Sequence, residues 1–120
     1  MIEAMMNIEE VREYCIAKKM VTEELPFDDV TLVFKVAGKM FAVIGTDCPT
    51  RLVLKCDAER ALELRERYSG IEPAFHFNKK YWNQHELPTL SSELVKELID
   101  HSYAEVVAKL PKRLRDTLGF

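Results

Sequence analysis

A chain of 120 residues with 48% hydrophobic and 31% charged residues has the size and balance of one domain with a continuous core, and excludes a disordered segment. Its net charge of −3 argues against a uniformly basic, non-specific nucleic-acid binder, because phosphate contacts need local positive charge. No apolar run approaches the ~20 residues of a bilayer span, and Met1–Met6 lacks the basic and long apolar regions of a signal peptide, so no membrane association is expected.

Met1–Met6 reads as a flexible N-terminal extension of a single domain, residues 1–120. Asn7 is the candidate N-cap of a first helix, with Glu9 and Glu10 in the turn where the helix dipole favours acids. Ile8, Val11 and Cys15 then form an apolar stripe that ends near Lys19. Pro26 makes Leu25–Asp29 a loop. From Val30 the period becomes two: Val30, Leu32, Phe34 and Val36 face one way, and Ala37-Gly38 turns the chain into a second strand, Lys39–Ile44. A third strand, Arg51–Cys56, precedes Asp57, the N-cap of a helix from Ala58 to about Tyr68 that Ser69-Gly70 ends. A short aromatic strand, Ala74–Phe77, the turn Asn78–Lys80 and a return strand, Tyr81–Glu86, follow. Ser91 or Ser92 caps a long last helix, Pro111 stops or kinks it, and Lys112–Leu118 forms one more short helical piece. The order α-β-β-β-α-β-β-α predicts an α+β two-layer domain, an antiparallel sheet with helices packed on one face.

With the all-apolar strand positions under the helices, the opposite face carries Thr31, Val33, Lys35, Lys39, Phe41, Val43, Arg51, Val53 and Lys55, a set without an acid. From Pro73 to His85 there is again no acid, against Lys79 and Lys80. An acidic chain can thus present one locally positive face, the quantity that attracts phosphate. Basic residues on exposed strands also keep a sheet face soluble, and the interleaved Phe41, Val43 and Val53 fit a homodimer or another protein partner equally well.

Phe34–Ala42 (FKVAGKMFA), Leu54–Glu59 (LKCDAE), Phe75–Asn83 (FHFNKKYWN) and Leu98–Lys112 (LIDHSYAEVVAKLPK) together resemble the MmcQ/YjbR family, with the motifs in the family's order from about Asn7 to Lys112. The resemblance implies a CyaY-like or secretion-chaperone-like α/β domain with a double-wing DNA-binding arrangement, in which two β-hairpins reach the DNA. Carried over residue by residue, the first wing is the hairpin with Lys35 and Lys39 flanking Val36-Ala37-Gly38. The second is Asn78-Lys79-Lys80, supported by Tyr81 and Trp82. Ala58, Phe77 and Tyr81 depart from the family's usual Pro, Met and His, and none of these changes removes a hairpin lysine. The expected function is binding of double-stranded DNA by its phosphates, through Lys35, Lys39, Lys79 and Lys80 with Arg51, Lys55 and Trp82 behind them.

Other chemistry is weakly supported. Cys15, Cys48 and Cys56 are odd in number and form no CxxC pair, which predicts reduced thiols and a cytoplasmic location. His76 and His85 lack the further ligands that a zinc site needs, so no metal or other cofactor is expected. Cys48 has no oxyanion-hole or phosphate-nest motif near it, and no enzyme activity is expected. His101-Ser102-Tyr103 falls within the last helix and reads as packing and hydrogen bonding, with the Tyr103 hydroxyl able to reach a strand end or loop.

Overall fold

A computed structural model describes residues 5–120. Its elements are α1 (Ile8–Ile16), β1 (Val21–Glu24), β2 (Thr31–Val36), β3 (Lys39–Gly45), β4 (Arg51–Lys55), α2 (Ala58–Arg67), β5 (Ile71–Pro73), β6 (Trp82–Glu86), α3 (Ser92–Ala108) and α4 (Lys112–Leu118). The six strands form one antiparallel sheet in the order β1-β2-β3-β4-β6-β5. Helix α3 packs across β3 and β4, α1 against β1, and α2 against β5, giving the expected α+β architecture.

Local chemistry sets the helix starts. The Asn7 side chain accepts from the Glu10 N–H (2.8 Å) while the Glu10 carboxylate accepts from the Asn7 N–H (3.2 Å), a reciprocal capping box. Met6 and Val11, before the cap and in the first turn beyond it, are both buried in the core, where a hydrophobic staple would sit. Met6 is thus a core residue rather than part of the expected extension, of which residues 1–4 lie outside the described residues. Asp57 and Ser91 cap α2 and α3 through the N–H groups of Arg60 and Leu94.

Three features depart from the expectation. Strand β1 lies in the stretch between the first helix and the Leu25–Asp29 loop, to which the sequence assigns no element: Val21-Thr-Glu-Glu24 is half acidic, and acids are poor strand formers. Tertiary pairing decides it: β1 lies along β2, Glu23 pairs with Arg12 of α1, and Glu24 lies 3.4 Å from Lys35 of β2. The strand expected at Ala74–Phe77 is instead Ile71–Pro73, which pairs with Asn83–His85. His76 has a left-handed backbone (φ 68°) that breaks an extended run, so the alternation of Phe75, His76 and Phe77 belongs to a loop.

The third departure is Phe41. Phe34 pairs with Ala42 but Lys35 pairs with Met40, so Phe41 is the extra residue of a β-bulge. It turns inward, fully buried, with its ring edge-on to Tyr103 of α3 at 5.5 Å. Met40 takes the outward place, and Phe41 is a core residue rather than an anchor for a partner on the open face.

The β2–β3 turn holds two residues, Ala37 (φ 50°) and Gly38 (φ 80°), the backbone of a type I′ hairpin. Glycine adopts that conformation freely, whereas alanine in it costs about 1 kcal/mol. Ala37→Asn, which tolerates the left-handed region and keeps the N–H that Ala37 donates to Met20 O (3.4 Å), is expected to raise unfolding free energy by ~0.5–1 kcal/mol in urea denaturation.

Candidate nucleic-acid interface

Antiparallel pairing places the β2–β3 tip, the end of β4, the start of β6 and the β5–β6 loop (74–81) at one end of the sheet. Lys39, Lys55 and Lys109, with Met40, Val106 and Leu110, line one cleft of about 270 Å³ there. The ammonium groups of Lys109 and Lys80 lie over the Tyr81 ring, 5.0 and 5.4 Å from its centroid, and Lys79 lies 5.9 Å from that of Phe75. Burial and the neighbouring Lys109 charge lower the Lys55 pKa, and Glu105 opposes them in part. Among the described residues, the ion pairs are Arg12–Glu23, Lys18–Asp100, Lys35–Glu24, Arg51–Glu86 and Arg60–Glu97, and none involves Lys39, Lys55, Lys79, Lys80 or Lys109.

The predicted residues thus fall into two groups. Lys39, Lys55, Lys79, Lys80 and Trp82 gather at the lysine end, Trp82 being half-buried, opposite Lys55 in the ladder and tilted against the Phe77 ring at 5.3 Å. Lys35 and Arg51 are held by Glu24 and Glu86 on the sheet. The acid-free reading of this face applies to β2–β4 alone. Its central row runs Glu24, Val33, Val43, Val53, Gln84, Glu72 across all six strands, with a carboxylate at each end. Lys109, the C-cap of α3, is a cation at a helix end, where the dipole favours it whether or not it meets the sheet. Only its position at the sheet end shows that it joins the cluster.

The β5–β6 loop is held at many points. Ala74 N–H donates to Trp82 O (3.0 Å), Tyr81 and Trp82 N–H both donate to Asn78 O (3.0 Å each), and Lys80 N–H donates to Asn78 Oδ1 (3.1 Å). Arg65 of α2 donates to Lys79 O and to Asn83 Oδ1 (2.6 Å), and Asn83, fully buried, donates to Ala61 O (3.2 Å). One guanidinium therefore ties helix, strand and loop together. The loop crosses the outer face of the sheet, where Phe75, His76 and Phe77 border a cleft of about 420 Å³ with Val43, Val53, Gln84, Arg51 and the β3–β4 turn. His85 lies on the other face, buried, its Nδ1–H donating to Leu52 O (2.9 Å). His76 and Cys48 border the same outer cleft, and His85 is separated from them by the sheet. No cluster of three His, Cys, Asp or Glu suited to a metal occurs among the described residues.

Burial pushes the Cys15 thiol up to about 12 and that of Cys56 to about 11, whereas Cys48 is only half-buried at the cleft. A thiol reacts as its thiolate. One equivalent per chain is expected to react promptly with a chromogenic disulfide in the native protein and three in denaturant, with mass spectrometry locating the first at Cys48.

The His101-Ser102-Tyr103 motif is structural in its contacts. His101 Nε2 accepts from Asp57 N–H (3.1 Å), and the Tyr103 hydroxyl donates to Lys19 O (2.6 Å) in the α1–β1 turn. The Ser102 hydroxyl donates to Phe41 O (2.6 Å) and accepts from Lys55 N–H (2.9 Å).

The chain is 30% identical over 115 residues to the uncharacterized protein YjbR of Escherichia coli K12, covering 94% of this chain and 98% of that one. The crystal structure of Deinococcus radiodurans protein DR2400, a DUF419 domain, superposes with a TM-score of 0.91 at 38% identity, over 99% of this chain and 93% of the other. A Pseudomonas syringae protein gives a TM-score of 0.68 at 26% identity, over 81% of this chain and 96% of its own. The YjbR family model matches residues 16–105, and the chain belongs to the YjbR family.

Proposed function

We propose that the protein binds DNA through its phosphate backbone, with Lys39, Lys55, Lys79, Lys80 and Lys109 as the contacting cations and Trp82 bracing the β5–β6 loop. The observation that carries this reading is the convergence of these lysines, none ion-paired among the described residues, on one sheet end around Tyr81. Two ammonium groups held near one another at a surface gain when a phosphate enters between them, and Lys55, disfavoured as a cation by burial and then by Lys109, is one that gains. The net charge of −3 supplies no long-range steering, so binding is modest and set by short-range contacts.

Fluorescence anisotropy with a labelled duplex tests this. Neutralising about four phosphates gives a slope of about −3.6 in log affinity against log salt, so raising salt from ~50 to ~200 mM weakens binding roughly 100-fold. Lys39→Glu and Lys109→Glu are each expected to lower affinity about five- to tenfold at low salt. Absence of binding to both a duplex and a single strand at low salt, or a flat salt response, rules the reading out.

A further inference from the structure

The cleft beside the lysines is built differently from a phosphate site. Its floor is apolar, from Val43 and Val53, adjacent in the ladder, and Phe75 and Phe77 line its loop side. At about 420 Å³ it falls in the range of small-ligand pockets, ~300–1,000 Å³. Phe75 is 58% exposed, and the Lys79 ammonium stands 5.9 Å from its ring. We propose that this cleft accepts an unpaired nucleobase, stacked on Phe75, while Lys79 and Lys80 hold the adjoining phosphates. On this basis the protein prefers single-stranded to duplex nucleic acid. The inference rests on the phosphate-contact reading above and names its substrate class.

Three observations support it. A flat aromatic face beside a cation is the pairing by which proteins hold single strands, stacking for the base and charge for the backbone. In a duplex both faces of every internal base are covered, so Phe75 finds no partner along its length. The cleft also offers hydrogen-bonding groups to a base edge. Gln84 donates through Nε2 to Glu72 (3.3 Å), and no described residue donates to its Oε1. Finally, the loop is held in shape before any ligand arrives, by Arg65 on Lys79 O and by Asn78 on Lys80, Tyr81 and Trp82. It carries His76 with a left-handed backbone between the two phenylalanines. Local strain retained in a pre-ordered loop is a mark of ligand-contacting segments, and pre-ordering lowers the entropy lost on binding.

Anisotropy with one labelled oligonucleotide, presented as a single strand, as a duplex and as a single strand with abasic sites, separates the outcomes. The single strand is expected to bind at least about tenfold more tightly than the duplex or the abasic strand, and to quench Trp82 fluorescence. Phe75→Ala, at an exposed position that does not disturb the core, is expected to bring the single-strand to duplex ratio close to one. Equal binding of all three, unchanged by Phe75→Ala, overturns the cleft and leaves the phosphate reading standing. A single-strand preference that survives Phe75→Ala also overturns the cleft. Absence of binding to all three at low salt overturns both.

Discussion

Ser102→Ala is expected to lower the unfolding free energy by about 2–4 kcal/mol, more than its lost atom suggests. The β3–β4 ladder runs Ile44–Leu52, Val43–Val53, Ala42–Leu54, and its next pair would be Phe41 and Lys55. The bulge at Phe41 interrupts it, and the Ser102 hydroxyl fills the gap by donating to Phe41 O and accepting from Lys55 N–H. The side chain is fully buried, so alanine leaves a backbone carbonyl and an N–H without partners and without water. Each such group costs about 1–3 kcal/mol. For a domain of this size the melting temperature falls by roughly 10 °C. Urea unfolding followed by far-ultraviolet circular dichroism measures the change. A loss below about 0.5 kcal/mol would show that the strands close on each other without the hydroxyl.

His85 makes stability depend on pH in a window of its own. Burial lowers its pKa from the ordinary 6.5 to about 4, the hydrogen bond to Leu52 O opposing in part. The carbonyl can only accept, so the folded ring is neutral with its proton on Nδ1. The unfolded ring takes up a proton near pH 6.5 while the folded one resists until about 4. The stabilisation is therefore complete above pH 6.5 and lost as pH falls toward 4. A gap of roughly 2.5 at ~1.36 kcal/mol per pH unit makes about 3 kcal/mol. Carboxylates titrate in the lower part of that range, so the interval from pH 6.5 to 5 is the one to read, and about 2 kcal/mol from His85 should disappear across it. In His85→Gln, whose amide can still donate to Leu52 O, this slope is expected to vanish. Parallel loss in both proteins over that interval would assign the effect to other groups.

The fold was legible where one residue's chemistry dominates. Asn7, Asp57 and Ser91 announce helix starts, and Ala37-Gly38 announces the hairpin, because each acts on backbone groups a few residues away. The errors share a different origin. Glu23 and Glu24 make a poor strand until Arg12 and Lys35 stand beside them, and those partners come from elsewhere in the chain. Phe41 sits inward because one residue is extra in β3, and the period-two pattern of its neighbours does not reveal a bulge. At the candidate interface the hairpin lysines were visible as a pattern. What withdraws Arg51, and what adds Lys109, depends on Glu86 being its ladder partner and on where α3 ends.

The two rims of the sheet bear on how copies of the chain can meet. One rim is β1, four residues long with two consecutive glutamates; the other is β5, three residues ending in Pro73, which has no N–H to offer. An incoming strand finds few donors at one side and, at the other, a short edge whose two glutamates are already engaged with Arg12 and Lys35. Ribbon-like stacking of chains edge to edge is thereby discouraged at both ends. The protein can keep a wide, unclosed sheet in concentrated solution without that sheet becoming a template for its own growth.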